Sequence, residues 1–267
     1  DGPTLETPLE ILGTTWVELC VIPSAPSGLI AVRLCDVWPD GASTLITFGL
    51  LNLAQRDGRG SPLPVEPNVR YQVRVKLNDT GYSLVPGHRL RLALSTSYWP
   101  MAWPAPDEGS LALEPSESYL DLPVFEEPLP DGARPFSEPE HAAPLETETL
   151  REPHHERVIN HDIVSGETIL WLVKDGGRQR FLHNQIEAEE ATTERYVIDD
   201  INPLSARAEY TAHQVIGRGE WETRTESNLT VTCSHESFFL DAKLTAYESD
   251  VEIFSRDWNT EIPRDGF

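Results

Sequence analysis

Eight histidines, three cysteines and 44 acidic residues are the raw material for chemistry in this chain of 267 residues. Whether they build a reaction centre depends on spacing. A serine nucleophile on an α/β scaffold needs the pentapeptide G-x-S-x-G, a strained turn that leaves Oγ exposed. No such pentapeptide occurs. Ser24 in PSAPSG and Ser61 in GRGSP stand beside glycine or proline and read as turn residues. His154-His155-Glu156 has the residue types of a zinc site, but zinc hydrolases place two histidines four apart on one helical face with a glutamate between them. Adjacent histidines point in different directions, and Pro153 precedes this pair. A metal-dependent hydrolase using His154 and His155 is therefore the weakest of three readings, and no metal ligands are assigned. The paired carboxylates Asp107-Glu108, Glu126-Glu127, Glu189-Glu190 and Asp199-Asp200 are what coincidence produces in so acidic a chain. Asp199-Asp200 before Asn202-Pro203 predicts a turn held by side-chain-to-backbone hydrogen bonds. With no calcium loop and no phosphate-cradling glycine loop, no catalytic residue and no cofactor are expected.

The aromatic group Tyr98, Trp99 and Trp103, set among Pro100, Met101 and Pro104, is the most suggestive feature left. Leaving such side chains in water forgoes about 1.5–3 kcal/mol each. They require cover from the domain's own core or from a neighbour, and interfaces enrich Trp and Tyr. With His88 they are the candidates for a domain interface or pocket wall. Trp16 and Trp38 raise the same question, and Trp16 reads as core packing.

The elements that must hold these residues are strands. Apolar or alternating runs fall at Leu9–Leu12, Thr15–Ile22, Gly28–Val37, Leu45–Leu53, Tyr71–Leu77, Arg89–Leu94, Leu111–Leu113 and Tyr119–Val124, with turn pairs such as Pro39-Asp40-Gly41, Asp57-Gly58, Thr80-Gly81 and Pro86-Gly87 between them. This spacing predicts a sandwich or jelly roll over residues 1–127. Residues 128–154 are rich in proline and glutamate and predict an extended linker. From 155 to 267 the strand pattern returns and predicts a second antiparallel β-domain, a sandwich or open barrel. There Asp175-Gly176-Gly177 is expected as a turn, Gly217-Arg218-Gly219 as a hairpin turn, and Gln185–Thr193 as helix or strand. The fold class is all-β.

The formal net charge of −23 argues against nucleic acid and anionic lipid as partners. No run approaches the roughly 20 apolar residues of a membrane span. Cys20 and Cys35 lie in apolar runs and read as buried thiols of a reducing, cytoplasmic compartment. The chain opens at Asp1 without a methionine or an apolar leader, which is expected of a piece of a longer cytoplasmic protein.

Three segments in order carry a resemblance. Asp36-Val37-Trp38-Pro39-Asp40-Gly41 is similar to a D-V-x-P-D-G signature, Pro86-Gly87-His88-Arg89-Leu90 to a P-G-H-R motif, and Ser95–Pro100 to the serine-rich strand end that follows. Over roughly Leu9–Val124 the chain resembles the C-terminal β-domain of the X-prolyl dipeptidyl-peptidase and cocaine esterase/NonD family of serine hydrolases. The resemblance implies a galactose-binding-like jelly roll packed on an upstream α/β-hydrolase catalytic domain of the same polypeptide. There a Ser-Asp-His triad hydrolyses esters, acylated amines or X-Pro peptides. The triad lies upstream, so none of it maps onto a residue here. The implied role is non-catalytic: support of the catalytic domain, shaping of its pocket, or contact within a homo-oligomer. Ile201–Ala206, Arg218–Ser227 and the terminal IPRDG resemble the tails of larger family members. A carbohydrate-binding jelly-roll module, with Trp99 or Trp103 stacked on a pyranose, is the alternative.

Overall fold

The computed structural model describes residues 1–58, 60–125 and 137–266. The chain divides into two compact units, Asp1–Pro135 with Asp265–Phe267, and Phe136–Arg264. Both are built of antiparallel strands, as the alternation predicts. No helix among the described residues is long and apolar enough to cross a membrane.

Among the described residues the first unit holds nine strands in three sheets. They are β1 (Leu9–Gly13), β2 (Trp16–Pro23), β3 (Leu29–Val37), β4 (Ser43–Asn52), β5 (Tyr71–Lys76), β6 (Thr80–Leu84), β7 (Arg89–Ser95), β8 (Leu111–Leu113) and β9 (Tyr119–Asp121). One sheet runs β5-β2-β8 with β9 also on β2, a second runs β4-β3-β7, and β1 pairs with β6. β3 is almost entirely buried, which is why its sequence LIAVRLCDV is nearly continuous in apolar residues rather than alternating. Val17, Leu19 and Val21 from β2, Val73 and Val75 from β5, Ile30, Val32 and Leu34 from β3, and Ile11 and Leu84 meet in one core. Each of these buried side chains is worth about 1.5–3 kcal/mol relative to exposure. β6 corrects the sequence reading of Thr80-Gly81 as a turn. These residues pair with Leu12 and Gly13 of β1. Cys20 and Cys35 are buried thiols, as expected.

The second unit is a single sheet of eight strands. They are β10 (Thr147–Arg151), β11 (His154–His161), β12 (Glu167–Phe181), β13 (Glu187–Asp199), β14 (Arg207–Arg218), β15 (Trp221–Cys233), β16 (Ser237–Glu248) and β17 (Val251–Pro263). From β12 to β17 the strands neighbour one another in chain order, and β10 and β11 both pair with β12. Residues 128–136 of the stretch read as a linker lie outside the described residues. Within the rest, Thr147–Arg151 is strand, paired with Arg178–Phe181 of β12.

Asp175-Gly176-Gly177 is a bulge inside β12, not a turn. Asp175 faces Ala191 and Arg178 faces Glu189, so β12 carries one residue more than β13 between the two pairs. The Gly177 N–H donates to Asp175 Oδ1 at 2.8 Å, and Gly177 adopts a φ of +72°. A Cβ there would sit 2.3 Å from the carbonyl oxygen of Arg151, so the bulge also makes room for the join between β10 and β11. A hairpin joins β14 and β15 as expected, but Gly217 and Arg218 are still in the ladder, facing Glu222 and Trp221, and the turn is Gly219-Glu220, with Gly219 at φ +64°. Glu187–Thr193, within the segment open between helix and strand, belongs to β13.

One face of this sheet is a ladder of ion pairs. Arg151 bridges Asp175 (2.5 Å) and Glu189 (2.9 Å), Arg178 bridges Glu187 (2.8 Å) and Glu222 (2.7 Å), and Arg180 bridges Glu187 (2.6 Å) and Glu148 (2.8 Å).

Candidate functional site

β3 and β7 run antiparallel, with Asp36 facing Leu90 and Val37 facing Arg89. That register carries His88, in the turn before β7, onto the end of β3. Gly87 makes the turn with a φ of +91°, a conformation glycine adopts without strain. The His88 Nδ1 lies 2.8 Å from Asp36 Oδ1 and 3.0 Å from Oδ2. The Tyr82 hydroxyl of β6 donates to Asp36 Oδ2 at 3.0 Å. Asp36 is 2% exposed and His88 8%. Burial, and then the carboxylate it bonds, push the Tyr82 phenol above its usual range. The Trp38 ring lies 5.0 Å from the His88 ring, and its Nε1–H donates to Thr44 Oγ1. A buried carboxylate is tolerable when donors surround it, and Asp36 has two. The cluster joins β3, β6 and β7 and brings the Asp36–Gly41 and Pro86–Leu90 segments into one place.

The aromatic loop follows the other end of β7. Tyr98 packs edge-on against Phe48 at 5.4 Å between centroids, with the Arg33 guanidinium 5.4 Å from its ring. Trp99 and Trp103 meet edge to face at 4.9 Å. Pro104, Ala105 and Pro106 are buried at the loop's foot, while Met101 at its crest is exposed. His88 and this aromatic group are thus kept apart by the seven residues of β7, a run of about 24 Å. Trp99 and Trp103 come together, while Tyr98 packs on Phe48 and Arg33 and His88 is turned inward to Asp36.

A groove of about 930 Å³ opens beside β4 and β5, lined by Trp16, Asn52, Gln55, Arg56, Arg74 and Asn78 among others. Arg74 lies over the Trp16 ring at 4.0 Å and pairs with Glu18 at 3.2 Å. The Gln55 Oε1 is buried and accepts no hydrogen bond from the described residues. Elsewhere in this unit Cys20, Glu114 and Glu117 bring metal-type ligand atoms within 4.8 Å of one another. Arg70 already stands among them. Its Nε donates to Cys20 Sγ at 2.8 Å, and its guanidinium pairs with Glu114 at 2.8 Å and with Glu117. Arg70 supplies the positive charge an ion would bring, so the cluster is read as structural.

His154 faces Asp175 and His155 faces Lys174 on β12, which sends the two imidazoles to opposite faces of the second sheet. Asp199 does hold the expected turn: its Oδ1 accepts the N–H groups of Ile201 (2.8 Å) and Asn202 (2.9 Å), and these bonds hold its carboxyl below the usual range. Sequence reasoning missed the Asp36–His88 contact, although each residue sits in a quoted motif. Fifty-two positions separate them, and only the β3–β7 pairing makes them neighbours. Nothing in the local sequence signals the Arg70 cluster.

Residues 1–150 match the family described as the X-Pro dipeptidyl-peptidase C-terminal non-catalytic domain. The chain belongs to that family. The cocaine esterase of Rhodococcus sp. (strain MB1 Bresler) is 30% identical over 96 residues, which is 36% of this chain and 17% of the esterase. Among solved structures, an α-amino acid ester hydrolase is similar at 21% identity and a TM-score of 0.44, covering 46% of this chain and 24% of that one. A Thaumarchaeota archaeon aminopeptidase from marine sediment is similar at 16% identity and a TM-score of 0.44, over 46% and 25%. A CocE/NonD family hydrolase from Staphylococcus aureus is similar at 13% identity and a TM-score of 0.38, over 46% and 30%. The chain thus spans between a sixth and a third of these proteins. The family's domain is the C-terminal part of a larger hydrolase, which implies a catalytic domain in the same polypeptide.

Proposed function

We propose that this chain is the non-catalytic C-terminal region of a cytoplasmic serine hydrolase of the esterase, acylase or X-Pro dipeptidyl-peptidase type. Its first unit, a galactose-binding-like jelly roll, supports the α/β-hydrolase catalytic domain. Its Ser95–Pro104 loop walls the substrate pocket through Tyr98, Trp99 and Trp103. His88 anchors the far end of the same strand. The observation that carries this reading is the family match over residues 1–150, a domain described as non-catalytic. The exposed Met101 above two packed tryptophans supports it, because an apolar crest on a stiff base suits a surface that meets another. The reaction of the parent enzyme is acyl transfer through a serine ester, and this chain contributes shape rather than a reacting group.

Two assays test it. The chain alone, incubated with a p-nitrophenyl ester, gives no turnover above buffer. In the full-length enzyme, Trp99→Ala raises KM about 5- to 50-fold with kcat changed less, since a wall residue acts on binding. An unchanged KM with an unchanged melting temperature refutes the pocket-wall role.

The groove beside β4 favours a second reading, a carbohydrate-binding module. Trp16 and three side-chain amides, that of Gln55 with an unpartnered oxygen among the described residues, are groups that suit a sugar ring and its hydroxyls. Calorimetric titration with a glycan panel separates the two readings: saturable heat lost in Trp16→Ala selects this one, and silence removes it.

A further inference from the structure

The two edges of the second sheet are treated differently. On one side Glu152 and Pro153 interrupt the edge, leaving two short strands, β10 and β11, whose sequences TETLR and HHERVINH are largely polar. Proline, charge and shortness are the devices that stop an edge from pairing with another chain. On the other side β17 runs unbroken for 13 residues and pairs only with β16. It carries exposed apolar side chains along its length: Val251 at 65%, Phe254 at 47% and Ile262 at 45% exposure. Its one irregularity is a bulge at Ile253, since Phe254 faces Ala246 and Glu252 faces Tyr247. From 254 to 262 the strand is regular, and among the described residues no strand lies beside its outer row of backbone N–H and C=O groups.

We propose that β17 is a homodimer edge, pairing antiparallel with β17 of a second copy about a two-fold axis through Trp258. The occupant is argued from the strand's own complementarity. A two-fold axis normal to the sheet pairs residues whose numbers sum to twice that of the residue on the axis, and it keeps each face continuous. An axis at Arg256 sets arginine against arginine. One at Asp257 sets aspartate against aspartate, and one at Asn259 sets Asp257 against Glu261. Axes at Ser255 or Thr260 run the overlap into the bulge or past Pro263. The axis at Trp258 uses the whole regular stretch with no like charges opposed. Trp258 meets its copy, Phe254 meets Ile262, Asp257 meets Asn259, Arg256 meets Thr260 and Ser255 meets Glu261. Phe254, Trp258 and Ile262 project from one face, opposite Ala246, Ala242 and Phe238 on β16. The pairing therefore continues these apolar rows across the axis, with Arg256 and Thr260 between them on the same face, and joins two eight-stranded sheets into one. Local self-complementarity matters in a molecule of net charge −23, whose copies otherwise repel.

Thr260 gives a test with a sign. Its neighbour inside the chain is Leu240, which carries no charge. In the dimer it lies opposite Arg256 of the other copy, twice. Thr260→Glu creates two cross-axis ion pairs and Thr260→Arg two like-charge pairs. Sedimentation equilibrium of the 267-residue chain is expected to show a dimer. Glu at 260 should lower its Kd, and Arg raise it, by about fivefold or more, with thermal melts checking that both variants fold. Outward-pointing amides of β17 should gain hydrogen-exchange protection with rising protein concentration. A chain that stays monomeric at millimolar concentration overturns the proposal, whatever covers β17 in a longer polypeptide. So does a dimer whose Kd ignores both substitutions or moves the same way with each.

Discussion

Asp36 accepts hydrogen bonds from the buried His88 and from the half-buried Tyr82. Removing the carboxylate strands both donors, and an unsatisfied buried group costs about 1–3 kcal/mol. Asp36→Ala is therefore expected to lower the unfolding free energy by about 3 kcal/mol or more in urea titrations followed by tryptophan fluorescence. Tyr82→Phe removes one donor and leaves the carboxylate its other partner, so a loss of about 1 kcal/mol is expected. Equal effects of the two substitutions would mean that Asp36 matters only through Tyr82. The pairing was half legible in advance. Both motifs carrying Asp36 and His88 are visible as text, but the text does not say that, with three strands between them, they touch. The aromatic loop was legible because its residues are bulky and its prolines stiff. Arg70 with Cys20, Glu114 and Glu117 was not, because charge pairing between loops leaves no period in a sequence.

At the level of elements, alternation located most strands and missed those whose residues do not alternate by polarity. β6 was hidden by Thr80-Gly81, which has turn chemistry and yet pairs with β1. β10 was hidden because a short edge strand wet on both sides, TETLR, has no apolar face to alternate. β12 was divided at Asp175-Gly176-Gly177 because glycine serves a bulge as readily as a turn. The bulge has a use. It separates the portion of β12 that β11 covers from the portion that β10 covers. Gly177→Ala would place a Cβ against the Arg151 carbonyl at a φ no alanine favours. The expected result is a loss of about 1–3 kcal/mol. It should appear as fast hydrogen exchange confined to β10 while β13–β16 stay protected. Uniform loss of protection would show instead that β10 is integral to the whole sheet.

For the molecule as a whole, the two units differ in what keeps them folded. The first has a core of aliphatic side chains, whereas the second relies visibly on charge ladders. That difference predicts how each responds to pH. Asp175 is held below the ordinary carboxylate range chiefly by Arg151, and Glu187 chiefly by Arg180 with help from Arg178. A depressed folded pKa means stability present above the unfolded value, near 4, and lost as pH falls through the folded one. Tyr196 has the opposite sign. Burial and the neighbouring Glu194 carboxylate push its phenol up to about 12. Its contribution is complete below the unfolded value, near 10, and is lost as pH rises toward 12. The second unit should therefore melt on a plateau between about pH 5 and 9 and weaken on both sides, while the first unit, in which Tyr82 has a raised phenol, weakens on the alkaline side. Asp175→Asn should flatten the acid limb and Tyr196→Phe the alkaline one, each by an amount worth a few degrees of melting temperature. Calorimetry across this range separates the two transitions. A single transition with one pH dependence would mean that the units melt together and that the ladders protect the entire chain.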